Sequence, residues 1–366
     1  MEGLLERLSS GVVVGDGGFV IALEKRGYVK GGPWTPEASV QYPEAVKQLH
    51  REFLRAGSDV MQTFTFYSSD DKLELGGSNV KGHFSCKEIS RAACRNAREV
   101  ADEGDALVAG SISQCPSYLE GKGKAVVQAQ VREQVQAMVQ HKVDFILAEF
   151  FHYVEEMEWA IEEARKSGLV VAASMSIGKW GDMAGVTPGQ CAVRMAKAGA
   201  QVVGVNCKFD LDTSLNTIRM MKEGLDCEGL NTYLMVQPNG FHCPGIGKEG
   251  YFSCPEFPFA MEPRVVTRAD VHKYAREAYN LGVRFIGGCC GFEAYHIRAI
   301  AEELAEERGK WPIASEKHET WGGGNKLSYV PYIRERVGKE YWSKLVPSSG
   351  RLGPPSHDYY PKPEED

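Results

Sequence analysis

The chain has 366 residues, 43% of them apolar, and a formal net charge of −7. That length supports a sizeable core, and mild acidity without a basic stripe argues against a nucleic-acid partner. No apolar run reaches the ~18 residues of a membrane span, Met1-Glu2-Gly3-Leu4-Leu5-Glu6 is unlike a signal peptide, and ten cysteines then read as reduced thiols of a cytoplasmic protein.

Strand and helix signals alternate along the chain. Val12-Val13-Val14-Gly15-Asp16-Gly17 reads as a short buried strand ending in a turn. Residues 43–57 follow as a helix, with Leu49, Phe53 and Leu54 on one face and Gly57 as its stop. Residues 60–66 are β-rich, 86–104 helical, 106–112 a third strand and 125–142 a helix. The fourth strand, residues 144–149, is apolar until it ends on Glu149, and a helix at 154–168 follows. Strands at 169–176, 201–207 and 232–237 are each followed by a helix, at 187–199, 214–229 and 267–282. Residues 285–290 close the series as strand eight, with 294–309 the final helix.

Eight strand-then-helix units with mostly apolar strands predict parallel strands covered by helices. A (β/α)8 barrel is the natural closure, with its active site at the C-terminal ends of the strands. The alternative is a doubly wound open sheet, but Gly15-Asp16-Gly17-Gly18 lacks the dinucleotide-binding spacing. Residues 1–310 are read as the barrel and 311–366 as a C-terminal arm and tail. The long Gly/Pro/Phe-rich connection at 238–263 is a candidate functional loop. In the arm, Tyr329, Tyr332, Tyr341 and Trp342 either pack on a neighbouring subunit or wrap the arm around its own barrel.

The strand ends carry the chemistry. Strand one ends at Asp16, Gly17 and Gly18, strand two near Thr63, Phe66 and Tyr67, and strand four at Glu149. Strand six ends at Cys207, and strand eight at Cys289 and Cys290. Vicinal cysteines at a strand end admit three readings: buried filler, a strained disulfide, or soft-metal ligands. The surrounding glycines and the third thiol at Cys207 favour ligands, and three thiolates without a histidine suit Zn²⁺. Three protein ligands leave one position for a substrate, which argues against a closed structural site in a scaffold or thiol sensor. Thiolate-rich zinc is suited to activating another thiol, so the expected substrate is a small thiol that attacks an electrophilic carbon. Cys86, Cys94, Cys191 and Cys227 are read as buried filler; Cys115, Cys243 and Cys254 fall in loops with open roles.

Asp16-Gly17-Gly18, Gly204-Val205-Asn206-Cys207 and Gly287-Gly288-Cys289-Cys290-Gly291 together resemble the signatures of the zinc-dependent homocysteine S-methyltransferases. Pro33-Trp34-Thr35-Pro36-Glu37, Met61-Gln62-Thr63-Phe64-Thr65-Phe66-Tyr67 and residues 273–282 resemble its betaine-dependent members nearly letter for letter. The resemblance covers nearly the whole chain and continues into the arm through Glu340-Tyr341-Trp342.

The resemblance implies zinc on Cys207, Cys289 and Cys290, and a homotetramer formed through the arm. It implies methyl transfer from glycine betaine to homocysteine, giving methionine and dimethylglycine, with S-methylmethionine as the alternative donor. Asp16 and Glu149 would hold the homocysteine ammonium, and amides near Gly17 and Gly18 its carboxylate. Trp34, Phe66, Tyr67 and Glu256 would form the donor site, where aromatic faces attract a quaternary ammonium. In one place the chain departs from the family. Where a tyrosine thought to contact donor and zinc usually stands, this sequence has Phe150, so a water is expected at the resting fourth position.

Overall fold

The computed structural model describes residues 2–32, 34–75 and 84–344. The short apolar runs form eight strands: β1 Val13–Val14, β2 Val60–Gln62, β3 Leu107–Ser113, β4 Phe145–Phe151, β5 Val171–Met175, β6 Val202–Asn206, β7 Tyr233–Gln237 and β8 Val283–Ile286. They pair in parallel in the order β1-β8-β7-β6-β5-β4-β3-β2. The principal covering helices are α1 Pro43–Ala56, α2 Cys86–Ala101, α3 Lys124–Gln140, α4 Val154–Ala164, α5 Pro188–Ala198, α6 Leu211–Cys227, α7 Arg268–Asn280 and α8 Ala294–Glu303. This is the expected (β/α)8 barrel, nearly closed.

The seam between β1 and β2 is bridged largely by carboxylates. The Asp59 amide donates to Val14 O at 2.7 Å, and the Val14 amide donates back to Asp59 Oδ2 at 2.9 Å. One turn higher, the Gln62 amide donates to Asp16 Oδ2 at 2.8 Å. Asp59 is itself held by Arg308 at 3.0 Å and Lys310 at 2.7 Å, so the end of the barrel sequence locks its beginning.

Inward-facing Val13, Val60, Leu107, Phe145, Leu147, Val202, Met235 and Phe285 fill the barrel, and Leu4 and Leu8 of the N-terminal helix Leu4–Ser10 join them. A second apolar layer, including Phe53, Met138, Ile161, Ile218 and Ile300, joins strands to helices. Helix starts follow local chemistry: Ser85 with Glu88, Thr187 with Gln190, and Thr267 with Asp270 form capping boxes.

The boundaries differ from expectation at the strand ends. β2 stops at Gln62, because the chain turns through Thr63 and Thr65, whose amide donates to Thr63 O at 2.9 Å. β4 runs past Glu149 to Phe151 across a register shift, and β8 ends at Ile286, so residues 287–290 form a loop. Cys227 is exposed rather than buried filler; Cys86, Cys94 and Cys191 are buried as expected.

Part of the arm lies on its own barrel. Trp321 sits with its ring 4.4 Å from that of His272 on α7, and Ser315 Oγ donates to Glu302 Oε1 at 2.6 Å. Further on, Leu327 and Tyr329 are 88% and 91% exposed. The Pro/Ser-rich tail, residues 345–366, lies outside the described residues. Among the described residues, no helix is long and apolar enough to cross a membrane.

Candidate functional site

Cys207 follows β6, and Cys289 and Cys290 follow β8. Both segments are anchored on the end of β7: the Cys207 amide donates to Gln237 O and the Cys289 amide to Pro238 O, each at 2.8 Å. The three sulfurs lie within 4.8 Å of one another, with Cys207 and Cys290 Sγ 3.6 Å apart. Glycine is required for this approach. A Cβ on Gly18 would stand 2.6 Å from Cys289 O, and one on Gly288 would stand 2.0 Å from the Phe292 ring.

Hydrogen bonds from Cys207 and Cys289 hold the Cys290 thiol well below its usual range, with Tyr251 adding a further bond. Cys289, which donates to Cys207 and Cys290, is pushed well up. Three sulfurs this close together are suited to a soft cation that binds all three. The expected ligands are therefore together, and they fit a metal ion.

Two cavities meet at these thiols. The first is lined by Gly17, Gly18, Thr63, Glu149, Asn206 and the three cysteines, among others. Glu149 Oε1 accepts from Gln62 Nε2 at 2.6 Å and from Ser111 Oγ, and Asn206 Nδ2 donates to Oε2 at 3.3 Å. Burial pushes its carboxyl up to about 7, opposed by the Ser111 bond and reinforced by Cys290. Asp16 lies behind this wall rather than on it; burial, then the Glu149 charge, also raise it well above the usual carboxylate range. The expected pair of glycine amides is not intact: the Gly18 amide donates to Phe292 O at 3.0 Å, which leaves Gly17.

The second cavity is mostly aromatic, with Val20 and Ile21 completing its wall. Trp34, Phe66, Tyr67, Phe150, Tyr251, Phe252 and Phe257 line it together with Cys207 and Cys290. Phe66 lies 4.0 Å from Tyr67 and meets Phe150 edge-on at 5.1 Å, ring centre to ring centre. Trp34, Tyr67, Phe150 and Cys207 all have left-handed backbones, with φ of 56°, 61°, 65° and 66°. Such strain in side-chain-bearing residues persists only where surroundings enforce it; here it turns the walls of the site. Glu256 lines neither cavity itself; it precedes Phe257, which does, and is buried against Arg264 at 2.9 Å.

Gln62, Asn206, Tyr251, Phe252 and Phe257 are site residues that were not singled out from sequence. Asn206 precedes Cys207 and Gln62 precedes Thr63; the other three belong to the flagged 238–263 loop. In that loop Cys243 and Cys254, whose roles sequence left open, face each other with sulfurs 3.6 Å apart.

A model of the homocysteine S-methyltransferase family matches residues 13–304. Betaine–homocysteine S-methyltransferase 1 of Bos taurus is 61% identical over 356 residues, 97% of this chain and 88% of that protein. The protein of that name from Danio rerio is 56% identical over 96% of this chain and 87% of its own. S-methylmethionine–homocysteine S-methyltransferase of Pongo abelii is 56% identical over 97% of this chain and 96% of its own. The metallated form of the homocysteine methyltransferase from Escherichia coli shares the fold, with a TM-score of 0.61 and 19% identity over 81% of this chain and 97% of that one.

Proposed function

The chain belongs to the homocysteine S-methyltransferase family, and from that premise we propose that it moves one methyl group from glycine betaine to the thiol of homocysteine. The products are methionine and dimethylglycine. The observation that carries this reading is the shared wall: Phe66, Phe150, Cys207 and Cys290 line both the thiol-and-carboxylate cavity and the aromatic one.

Homocysteine enters the first cavity. Its ammonium is held by Glu149, with the carboxyl of Asp16 behind, and its carboxylate by the Gly17 amide. Cys207, Cys289 and Cys290 would hold zinc, which when bound keeps a substrate thiol deprotonated at neutral pH, where a free thiol of pKa ~8.5 is mostly protonated. Betaine enters the second cavity, where Trp34, Phe66 and Tyr67 surround its trimethylammonium and exclude water. Burial pushes the Tyr67 hydroxyl up to about 12, so at neutral pH it remains an uncharged wall residue. The chain's contribution to rate is alignment of sulfur, methyl carbon and nitrogen across that wall. No protein base is required at the transfer step, because the thiol would already have lost its proton to solvent on binding at the three cysteines.

The ten cysteines are all free, in keeping with a cytoplasmic setting. Exposed Leu327, Tyr329 and Tyr332 support a homotetramer joined through the arm. The test of function is direct. Purified protein with homocysteine is given betaine or S-methylmethionine in separate reactions, and methionine and dimethylglycine are measured. Methionine with equimolar dimethylglycine is expected from betaine. No methionine from betaine overturns the donor assignment, and none from either donor overturns methyl transfer.

A further inference from the structure

Tyr67 walls the aromatic cavity from a left-handed backbone, and two consecutive residues at the end of β3 grip it at both ends. Ser113 Oγ accepts from the Tyr67 amide at 3.0 Å, and Gln114 Nε2 donates to the Tyr67 hydroxyl at 3.0 Å. Gln114 is fixed in turn from the residue after β4: its Oε1 accepts from His152 Nδ1 at 3.0 Å. The His152 ring lies 4.8 Å from that of Phe150, and Phe150 meets the Tyr67 ring edge-on at 6.1 Å. Tyr67, Gln114, His152 and Phe150 therefore close a circuit that joins two walls of the cavity. Gln114 and His152 line neither cavity themselves, so they act on a bound donor only through those walls.

We propose that Gln114 is a positioning residue for the methyl donor: braced by His152, it pins the Tyr67 hydroxyl and so fixes the angle of the Tyr67 ring. The inference rests on the reading of the aromatic cavity as the donor site. A cation is attracted to a ring when it stands over the ring's face, so the angle of the ring decides the strength of the contact. A ring tethered only at its Cα can swing about its side-chain torsions, and a hydrogen bond at its far end removes that freedom. A primary amide suits the place, since it gives a donor to the hydroxyl and an acceptor to the imidazole at once.

Gln114→Met keeps the length of the side chain and removes both bonds. The KM for betaine is expected to rise about 3–10-fold, the worth of one hydrogen bond between neutral groups. The KM for homocysteine should change by less than about twofold, because no wall of the thiol cavity is released. A double-mutant cycle separates positioning from a general structural role. In Tyr67→Phe protein the hydroxyl is already gone, so adding Gln114→Met should raise the betaine KM by less than about 1.5-fold. His152→Phe keeps a ring beside Phe150 and frees Gln114. It should raise the betaine KM in the same direction, lose its effect in Tyr67→Phe protein, and carry the test if Gln114→Met does not fold. An unchanged betaine KM, or an equal rise with and without the Tyr67 hydroxyl, overturns the proposal. Unaltered protein that forms no methionine from betaine overturns the donor reading itself, and this inference with it.

Discussion

Asp16 and Glu149 are tied together through one residue: Gln62 gives its backbone amide to Asp16 Oδ2 at 2.8 Å and its side-chain amide to Glu149 Oε1 at 2.6 Å. Asp16 thereby does two jobs, bridging the β1–β2 seam and placing a second carboxyl behind Glu149. Both carboxyls are buried and both are raised, Asp16 in part by Glu149 itself. A pocket that makes two carboxylates hard to ionise is one that a cation relieves, since an opposite charge within a few ångströms favours the charged form.

Glu149→Gln tests that relationship through pH. With its carboxyl raised to about 7, Glu149 binds protons more readily in the folded chain than in the unfolded chain. Its contribution to stability is therefore fully present below the ordinary carboxylate range and is lost as pH rises through about 7. Binding of a substrate ammonium runs the other way and strengthens as pH rises through that value. The KM for homocysteine should fall between pH 6 and 8 in the unaltered protein. Glu149→Gln should flatten that dependence and raise KM at pH 8 roughly 10–100-fold, the worth of a charged hydrogen bond. A steep profile retained in the variant would show that another group governs amine binding.

Cys289→Ala tests the metal. Two thiolates and an open mouth hold a soft ion far less well than three, so metal content by atomic emission should drop from about one per chain to near zero. Methionine formation should vanish with it. Metal retained at the unaltered ratio would remove Cys289 from the ligand set.

Gly18→Ala acts on the same centre without replacing a ligand. The new methyl would press on Cys289 O at 2.6 Å and the Cys290 Cα at 3.0 Å. Backbone atoms yield little, so a loss of about 1–3 kcal/mol is expected in chemical denaturation, as for other overpacked sites. Metal should also leave the variant faster. An unchanged denaturation midpoint would show that the Cys289–Cys290 loop gives way easily.

Leu327→Asp with Tyr329→Asp addresses the arm. Both side chains are almost fully exposed in the single chain, so the barrel should lose no more than about 0.5 kcal/mol. If they face a neighbouring copy, the mass measured by light scattering should fall below that of the unaltered assembly. An unchanged mass would return these residues to the surface of one subunit.

What was legible beforehand divides along physical lines. Strand-end register located Asp16, Glu149, Cys207, Cys289 and Cys290, because parallel strands of one barrel deliver their ends to one mouth. The aromatic cavity was only half legible. The length of the 238–263 loop marked it as functional, but which of its residues turn inward depends on tertiary placement, such as the Gly250 approach to Lys208. Glu256 shows the same limit, since its pairing with Arg264 follows from the loop's own packing. Left-handed backbones at Phe150 and Cys207 leave no local signal, as neither residue type favours them.

Trp34 and Phe66 stand differently toward the two cavities. Trp34 lines only the aromatic one, whereas Phe66 lines both. A trimethylammonium group held against aromatic faces gains about 1–2 kcal/mol per well-placed ring when water is excluded. Trp34→Ala should therefore raise the KM for betaine about 5–30-fold, the same energy written as a ratio. Its effect on the KM for homocysteine should be small, because no wall of the thiol cavity is removed. Phe66→Ala should raise both constants, since its loss opens the partition that sets sulfur and methyl in line. Initial rates with each substrate varied at saturating levels of the other would measure the two effects. Equal effects of Trp34→Ala on both constants would mean that the cavities act as one chamber, and the assignment of a separate donor site would fall.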